Sequence, residues 1–203
     1  EMTTLCSWAL ISHTQEPPAI RAGYKALIMT YIGGVFFVVA LVIIFVATGS
    51  FSFRALTSMT QPLAATAFLL LMAAAWAKSA QLPFSTWLPD AMEAPTPISA
   101  YLHAAAMVKA GVYLMLRLVV ENGPLGRGDA LVMVTMASLT MAMAVFFYFF
   151  QDDLKRLLAF STITHLGYIL LATGIGIMGS KAGFQGAALH LACHAPAKGL
   201  LFL

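Results

Sequence analysis

Charge is what this 203-residue chain has least of. Only 9% of its residues are Asp, Glu, Lys or Arg, while 61% are hydrophobic. A water-soluble domain carries about 25% charged residues, so the shortage excludes an ordinary soluble globular domain and a disordered chain. The net charge of +3 arises from 11 Lys+Arg against 8 Asp+Glu. These charges are scattered, so there is no basic patch to hold DNA or RNA, and nucleic acid is excluded as a partner. Cysteine is almost as scarce. Cys6 and Cys193 lie singly in apolar stretches, with neither a metal-ligand spacing nor a disulfide framework. A dinucleotide-binding glycine fingerprint is also missing, as is a haem-ligand pair, since His190 and His194 stand four apart on one helix. No cofactor and no resident metal are therefore expected. The start, EMTTLCSWALIS, lacks the basic region and small-residue cleavage site of a signal peptide. It reads instead as the second half of a spanning helix.

What the chain does have is long apolar runs. At roughly 20 residues per span, six or seven transmembrane helices with short loops are expected. The fold class expected is an all-α polytopic membrane protein, organised as a single transmembrane domain. The segments read as a stub over 1–12, then spans over about 24–48, 62–90, 97–120, 130–150, 154–178 and 184–203. The end, AKGLLFL, falls inside an apolar run, so the chain is expected to be an internal fragment of a longer membrane protein. The two prolines of HTQEPPAIRAG are expected to stop a helix there. Gly33-Gly34 marks a close approach between helices. The 62–90 segment would be roughly 42 Å long as one helix, too long for a ~30 Å hydrocarbon core. Pro83 and Pro89 interrupt it, so it is expected to break near Pro83, with an irregular turn over about 81–85 and Lys78 within a turn of the break. Such breaks are tolerated only beside a cavity or buried protein, where freed backbone groups find partners. Basic loop residues do not orient the chain. Arg21, Lys25, Lys155 and Arg156 fall on one side, and Arg54, Arg117, Arg127 and Lys181 on the other, which leaves the positive-inside rule tied.

An ionisable side chain deep in a span is costly to keep, and so marks a functional site. Counting helix rise from the start of each span, Lys78 lies about 24 Å in, Lys109 about 18 Å, His165 about 16 Å and Lys198 about 21 Å. His103, His190 and His194 join them on the fourth and seventh spans, and Glu1 on the stub. Individually such groups can be packing or snorkelling residues. Independent snorkelling does not explain several central cations on separate helices. A buried lysine that alternates between an apolar setting and a carboxylate neighbour can release and recover a proton, and histidines can relay it through two ring nitrogens. With spacing four and four, His190, His194 and Lys198 share one helix face, within about 80° of arc and 12 Å of length. Pro196 is expected to kink that helix. No complete sodium site is visible, because a bare cation needs several oxygen ligands. A membrane scaffold whose charges only join helices stays open, and it would need an acid partner for each lysine.

The run AKSAQLPFSTWLPDAMEAPTPISAYLHAAAMVKAGVYL, together with DDLKRLLAFSTITHLGYI and HLACHAPAKGLLFL, resembles the antiporter-like membrane subunits. That superfamily contains the large proton-pumping subunits of respiratory complex I and subunits of Mrp-type sodium/proton antiporters. The start EMTTLCSWALI, the wording EAPTPISAYLH, Lys109 and His165 are similar to the large A-type Mrp subunit, with complex I or a related membrane hydrogenase as the alternative. The resemblance implies a proton-translocating subunit of a multisubunit cation/proton antiporter, without redox centres of its own. It implies other integral membrane subunits, the lipid bilayer, protons and sodium as partners, and a multi-pass place in a bacterial or archaeal cell membrane. It implies that Glu1 and Lys78 form a charge pair, that Lys198 is a central lysine reached through His190 and His194, and that His103 belongs to the same relay. It further implies inverted repeats that this stretch straddles, and a cytoplasmic position for QDDLKR and HTQEPPAIRAG.

Overall fold

The structure, a computed structural model, describes residues 2–122 and 126–202. Its helices are α1 Met2–Ile11, α2 Pro17–Thr48, α3 Gln61–Lys78, the single turn α4 Trp87–Asp90, α5 Thr96–Ala100, α6 Met107–Asn122, α7 Arg127–Tyr148, α8 Leu154–Ile177 and α9 Lys181–Phe202. Short 3-10 turns cover Ser12–Thr14, Phe53–Ser58 and Ala91–Glu93, and a π-helical stretch, Tyr101–Ala105, joins α5 to α6. No strand occurs among the described residues.

The bundle is inside-out relative to a soluble protein, and α2 shows why. Its buried positions are mostly small: Ala19, Ala22, Gly23, Ala26, Thr30, Gly33, Gly34 and Ala40. Its exposed positions include Ile28, Tyr31, Val35, Val38, Val42 and Val46. Small residues let backbones approach, and bulky apolar ones face outward, as lipid requires. Among the described residues five helical stretches are long and apolar enough to cross a membrane: Pro17–Thr48, Gln61–Lys78, Thr96–Asn122, Arg127–Tyr148 and Leu154–Ile177. The ten-residue α1 is too short. Helix α9 has 22 residues but is diluted by Gln185, His190, His194 and Lys198. Charged side chains pair at the two ends of the bundle. Lys25 binds Asp90 at 2.6 Å and Arg156 binds Glu93 at 3.2 Å. At the opposite end Glu121 takes both Arg54 and Arg117, each at 2.5 Å.

Three local features depart from the sequence-based expectation. The prolines after α1 start a helix rather than stop one: Pro17 and Pro18 occupy the first positions of α2, where a missing N–H costs nothing. The break in the third segment begins earlier than Gln81, because α3 ends at Lys78. Ala80 adopts a left-handed conformation with φ 50°, and the Gln81 N–H donates back to the Trp76 carbonyl at 2.9 Å, a Schellman-type ending. A tight turn follows, with the Phe84 N–H on the Gln81 carbonyl at 2.7 Å around the cis Leu82–Pro83 bond. Helix ends leave carbonyls without partners, and here buried side chains serve them. The Trp87 indole Nε1 donates to Ala77 O at 3.0 Å, and Gln81 Nε2 donates to Ser79 O at 3.0 Å and Ile163 O at 3.4 Å. Thr140 Oγ1 accepts from the Leu82 N–H at 3.2 Å. The third departure is the π stretch in the fourth span. The Ala106 N–H reaches back five residues to Tyr101 O at 3.1 Å, and Ala106 itself leaves helical geometry at φ −125°, ψ −72°.

Candidate functional site

Helix α6 divides the ionisable groups of the spans into two compartments. Lys109 and Gly111 are two residues apart, about 200° around the helix, so they face opposite ways. On the Gly111 side α6 lies directly on α3. A β-carbon at Gly111 would stand 2.2 Å from the Ala75 carbonyl oxygen and 2.3 Å from Ser79 Oγ. Helix α2 closes on α3 in the same manner, since a β-carbon at Gly33 would stand 2.5 Å from Ala77 Cβ. These contacts frame a cavity of about 310 Å³ that Lys78 and Arg117 line beside Thr3, Phe37, Phe53 and Leu114. Lys78 Nζ donates to Thr4 Oγ1 on α1. Glu1, the expected partner of Lys78, lies outside the described residues.

On the Lys109 side the remaining expected residues gather. His165 on α8 and His190 on α9 are hydrogen-bonded, Nδ1 to Nε2, at 3.1 Å. One ring donates and the other accepts, according to tautomer. His194 stands one turn along α9, its ring centroid 5.4 Å from that of His165 and 6.3 Å from that of His190. Tyr168 borders the group, 6.2 Å from His165 and 6.3 Å from His190, centroid to centroid. Lys198 is 3% exposed and donates to the Leu158 carbonyl of α8 at 3.1 Å. Helix α9 continues through Pro196. Lys109 is buried, and its Nζ has no hydrogen-bond partner among the described residues. Neither ring nitrogen of His194 or His103 has one. His103 comes from the π stretch, fully buried, its ring 5.2 Å from that of Phe202. The charges of Lys109 and Lys198 reach His194, and that of Lys198 reaches His103. No carboxylate pairs with Lys109 or Lys198 among the described residues. Nor does any group of three His, Cys, Asp or Glu there have the arrangement to hold a metal ion.

Six of the eight expected residues, His103, Lys109, His165, His190, His194 and Lys198, therefore meet where the π stretch, α6, α8 and α9 converge, and Lys78 stands apart beyond α6. Sequence reading missed Thr4, Trp87, Gln81 and Tyr168. A hydroxyl or indole in an apolar run carries no signal until its partner is known.

The whole chain, residues 1–203, matches the family described as NADH:quinone oxidoreductase/Mrp antiporter, TM. The chain belongs to that family. Among the family's curated members, the Na(+)/H(+) antiporter subunit A1 of Staphylococcus epidermidis is 39% identical over 219 aligned residues, and that of Staphylococcus haemolyticus is 41% identical over 219. Each alignment takes in 100% of this chain but 27% of the relative, so the chain spans about a quarter of the length of the relatives it matches. Among solved structures, a chain of the Mrp complex from a Dietzia species superposes with a TM-score of 0.91 at 40% identity, over 98% of this chain and 22% of that one. A chain of the membrane-bound sulfane sulfur reductase, an archaeal respiratory membrane complex, superposes with a TM-score of 0.90 at 26% identity, over 98% and 42%. Family membership makes this a membrane protein of antiporter-like fold.

Proposed function

We propose that this chain is part of a proton-translocating subunit of a multisubunit sodium/proton antiporter in the bacterial cell membrane. In this reading protons pass along His103, Lys109, His165, His190, His194 and Lys198, with Lys78 beyond α6 as a second station and Glu1 as the partner the resemblance gives it. The observation that carries it is the six-residue cluster, in which two buried lysines lack any described acid partner. A scaffold that uses buried charges to join helices would pair each lysine with a fixed carboxylate, because an uncompensated buried charge is strongly destabilising. The 3.1 Å contact between His165 and His190 supports direct transfer. A proton taken up on the far nitrogen of one ring pushes the shared proton across to the other ring, which then releases one from its own far side. The steps from His190 to His194 and on to Lys198 are each about 6 Å of helix rise, a distance for water to bridge.

The 39–41% identities to antiporter A1 subunits, against 26% to the respiratory complex chain, favour antiport. The test uses the full-length protein in its complex, in everted membrane vesicles whose lumenal pH is followed with a dye. Lys198→Ala and His194→Ala should each cut sodium-driven proton flux by at least about a hundredfold, the lower end of losses from removing a proton-transfer group, with assembly intact. Normal flux in both variants would refute the relay. Proton movement that needs an electron donor and ignores sodium would replace the antiporter with the respiratory reading.

A further inference from the structure

The backbone that carries Lys78 is fixed from three directions. Helix α2 seats Gly33 against Ala74 and Ala77, α6 seats Gly111 against Ala75 and Ser79, and Trp87 holds the Ala77 carbonyl. The side chain then leaves α3 and donates from Nζ to Thr4 Oγ1 on α1. Thr4 is 1% exposed. It lies on the buried stripe of α1 with Ser7 and Ile11, so its hydroxyl is presented to the bundle and not to lipid.

A hydroxyl differs from the other partners that a half-buried lysine such as Lys78 can have. It holds one donor and two acceptor sites, whereas an ionised carboxylate only accepts. Towards a charged ammonium the Thr4 oxygen accepts. Towards a neutral amine the same hydroxyl can rotate and donate its hydrogen to the nitrogen lone pair. Lysine thus keeps its hydrogen bond to Thr4 in both protonation states.

We propose that Thr4 is a positioning residue for proton transfer at Lys78: its hydroxyl accepts from the charged side chain and donates to the neutral one, so that Lys78 gives up and regains a proton without leaving α1. The proton itself passes from Nζ to the next acceptor and back. Thr4 keeps its own hydrogen throughout and only turns it. The inference rests on Lys78 being a station of the proposed relay.

The experiment compares Thr4→Val, Thr4→Ala, Thr4→Ser and Lys78→Ala in the full-length protein within its complex, by sodium-driven proton flux in everted vesicles, with assembly and melting measured beside it. Valine keeps the shape and removes the hydroxyl, while serine keeps the hydroxyl and removes the methyl. Thr4→Val and Thr4→Ala should each lose roughly tenfold in maximal flux, the scale of one hydrogen bond to a charged group, and Thr4→Ser should stay within about twofold of the parent. If either the valine or the alanine variant assembles and pumps at the parental rate while Lys78→Ala is dead, the proposal is overturned and the relay stands. A serine variant as impaired as valine also overturns it, because the methyl would then be what matters. Parental flux in Lys78→Ala overturns the role of Lys78 and the proposal with it.

Discussion

Replacing Gly111 with alanine tests how tightly the wall between the two compartments is built. The added β-carbon would sit 2.2 Å from the Ala75 carbonyl oxygen and 2.3 Å from Ser79 Oγ. Carbon–oxygen contacts settle at about 3.3–3.6 Å, so the shortfall is about 1 Å. Half of it falls on backbone, which cannot rotate away, and α3 and α6 must part. Overpacking of this kind costs about 1–3 kcal/mol. The substitution also raises helix propensity by up to about 1 kcal/mol, which works the other way. Gly186, inside α9 with nothing within 4 Å of its built β-carbon, isolates that second effect. The difference between Gly111→Ala and Gly186→Ala therefore reports the clash alone. For a chain of this size it corresponds to roughly 2–12 °C between melting midpoints, with Gly111→Ala the lower, measured by intrinsic fluorescence in detergent or nanodiscs. Equal midpoints would mean that α3 and α6 are not in the close contact described, and the compartment argument would fail with it.

Two further outcomes follow from the accounting of polar groups. Trp87→Phe removes the indole donor from a buried carbonyl and should cost about 1–3 kcal/mol beyond Trp76→Phe, whose indole nitrogen has no hydrogen-bond partner among the described residues; comparable melting of the two variants would contradict this. Lys25 and Asp90 meet at 2.6 Å with side chains 37% and 42% exposed, so a double-mutant cycle in alanine should return a coupling of no more than about 1 kcal/mol, and a value several times larger would show that this end is less hydrated than its exposure implies.

The helical class and the membrane reading were legible because lipid demands long apolar runs, and the chain has little else. The stripe of His190, His194 and Lys198 was legible because four-residue spacing puts side chains on one helix face whatever surrounds the helix. His165 could be suspected from its depth, but its partner on another helix could not be named. The π stretch that presents His103 was invisible, since Tyr101–Ala105 reads as ordinary helix. Pro17 and Pro18 misled in the opposite sense, because a proline that ends one helix and a proline that opens another look alike until the preceding carbonyl is placed. The start of the break was misjudged for a related reason. Pro83 clashes with the carbonyl four residues earlier, which by itself permits helix nearly up to the proline, yet α3 stops at Lys78.

That early stop has a consequence for how the protein is made. The local hydrogen bonds of this ending work against one unfavourable residue, for Ala80 is a poor choice for the left-handed turn it occupies, where glycine is preferred. Further hydrogen bonds at the ending come from Trp87, nine residues after Lys78, from Thr140 on α7 and from the Ile163 carbonyl on α8. Chain growth delivers these in order, and the last of them arrives some eighty residues after Lys78 has left the ribosome. The full set of partners for this ending therefore exists only where α7 and α8 are packed beside α3.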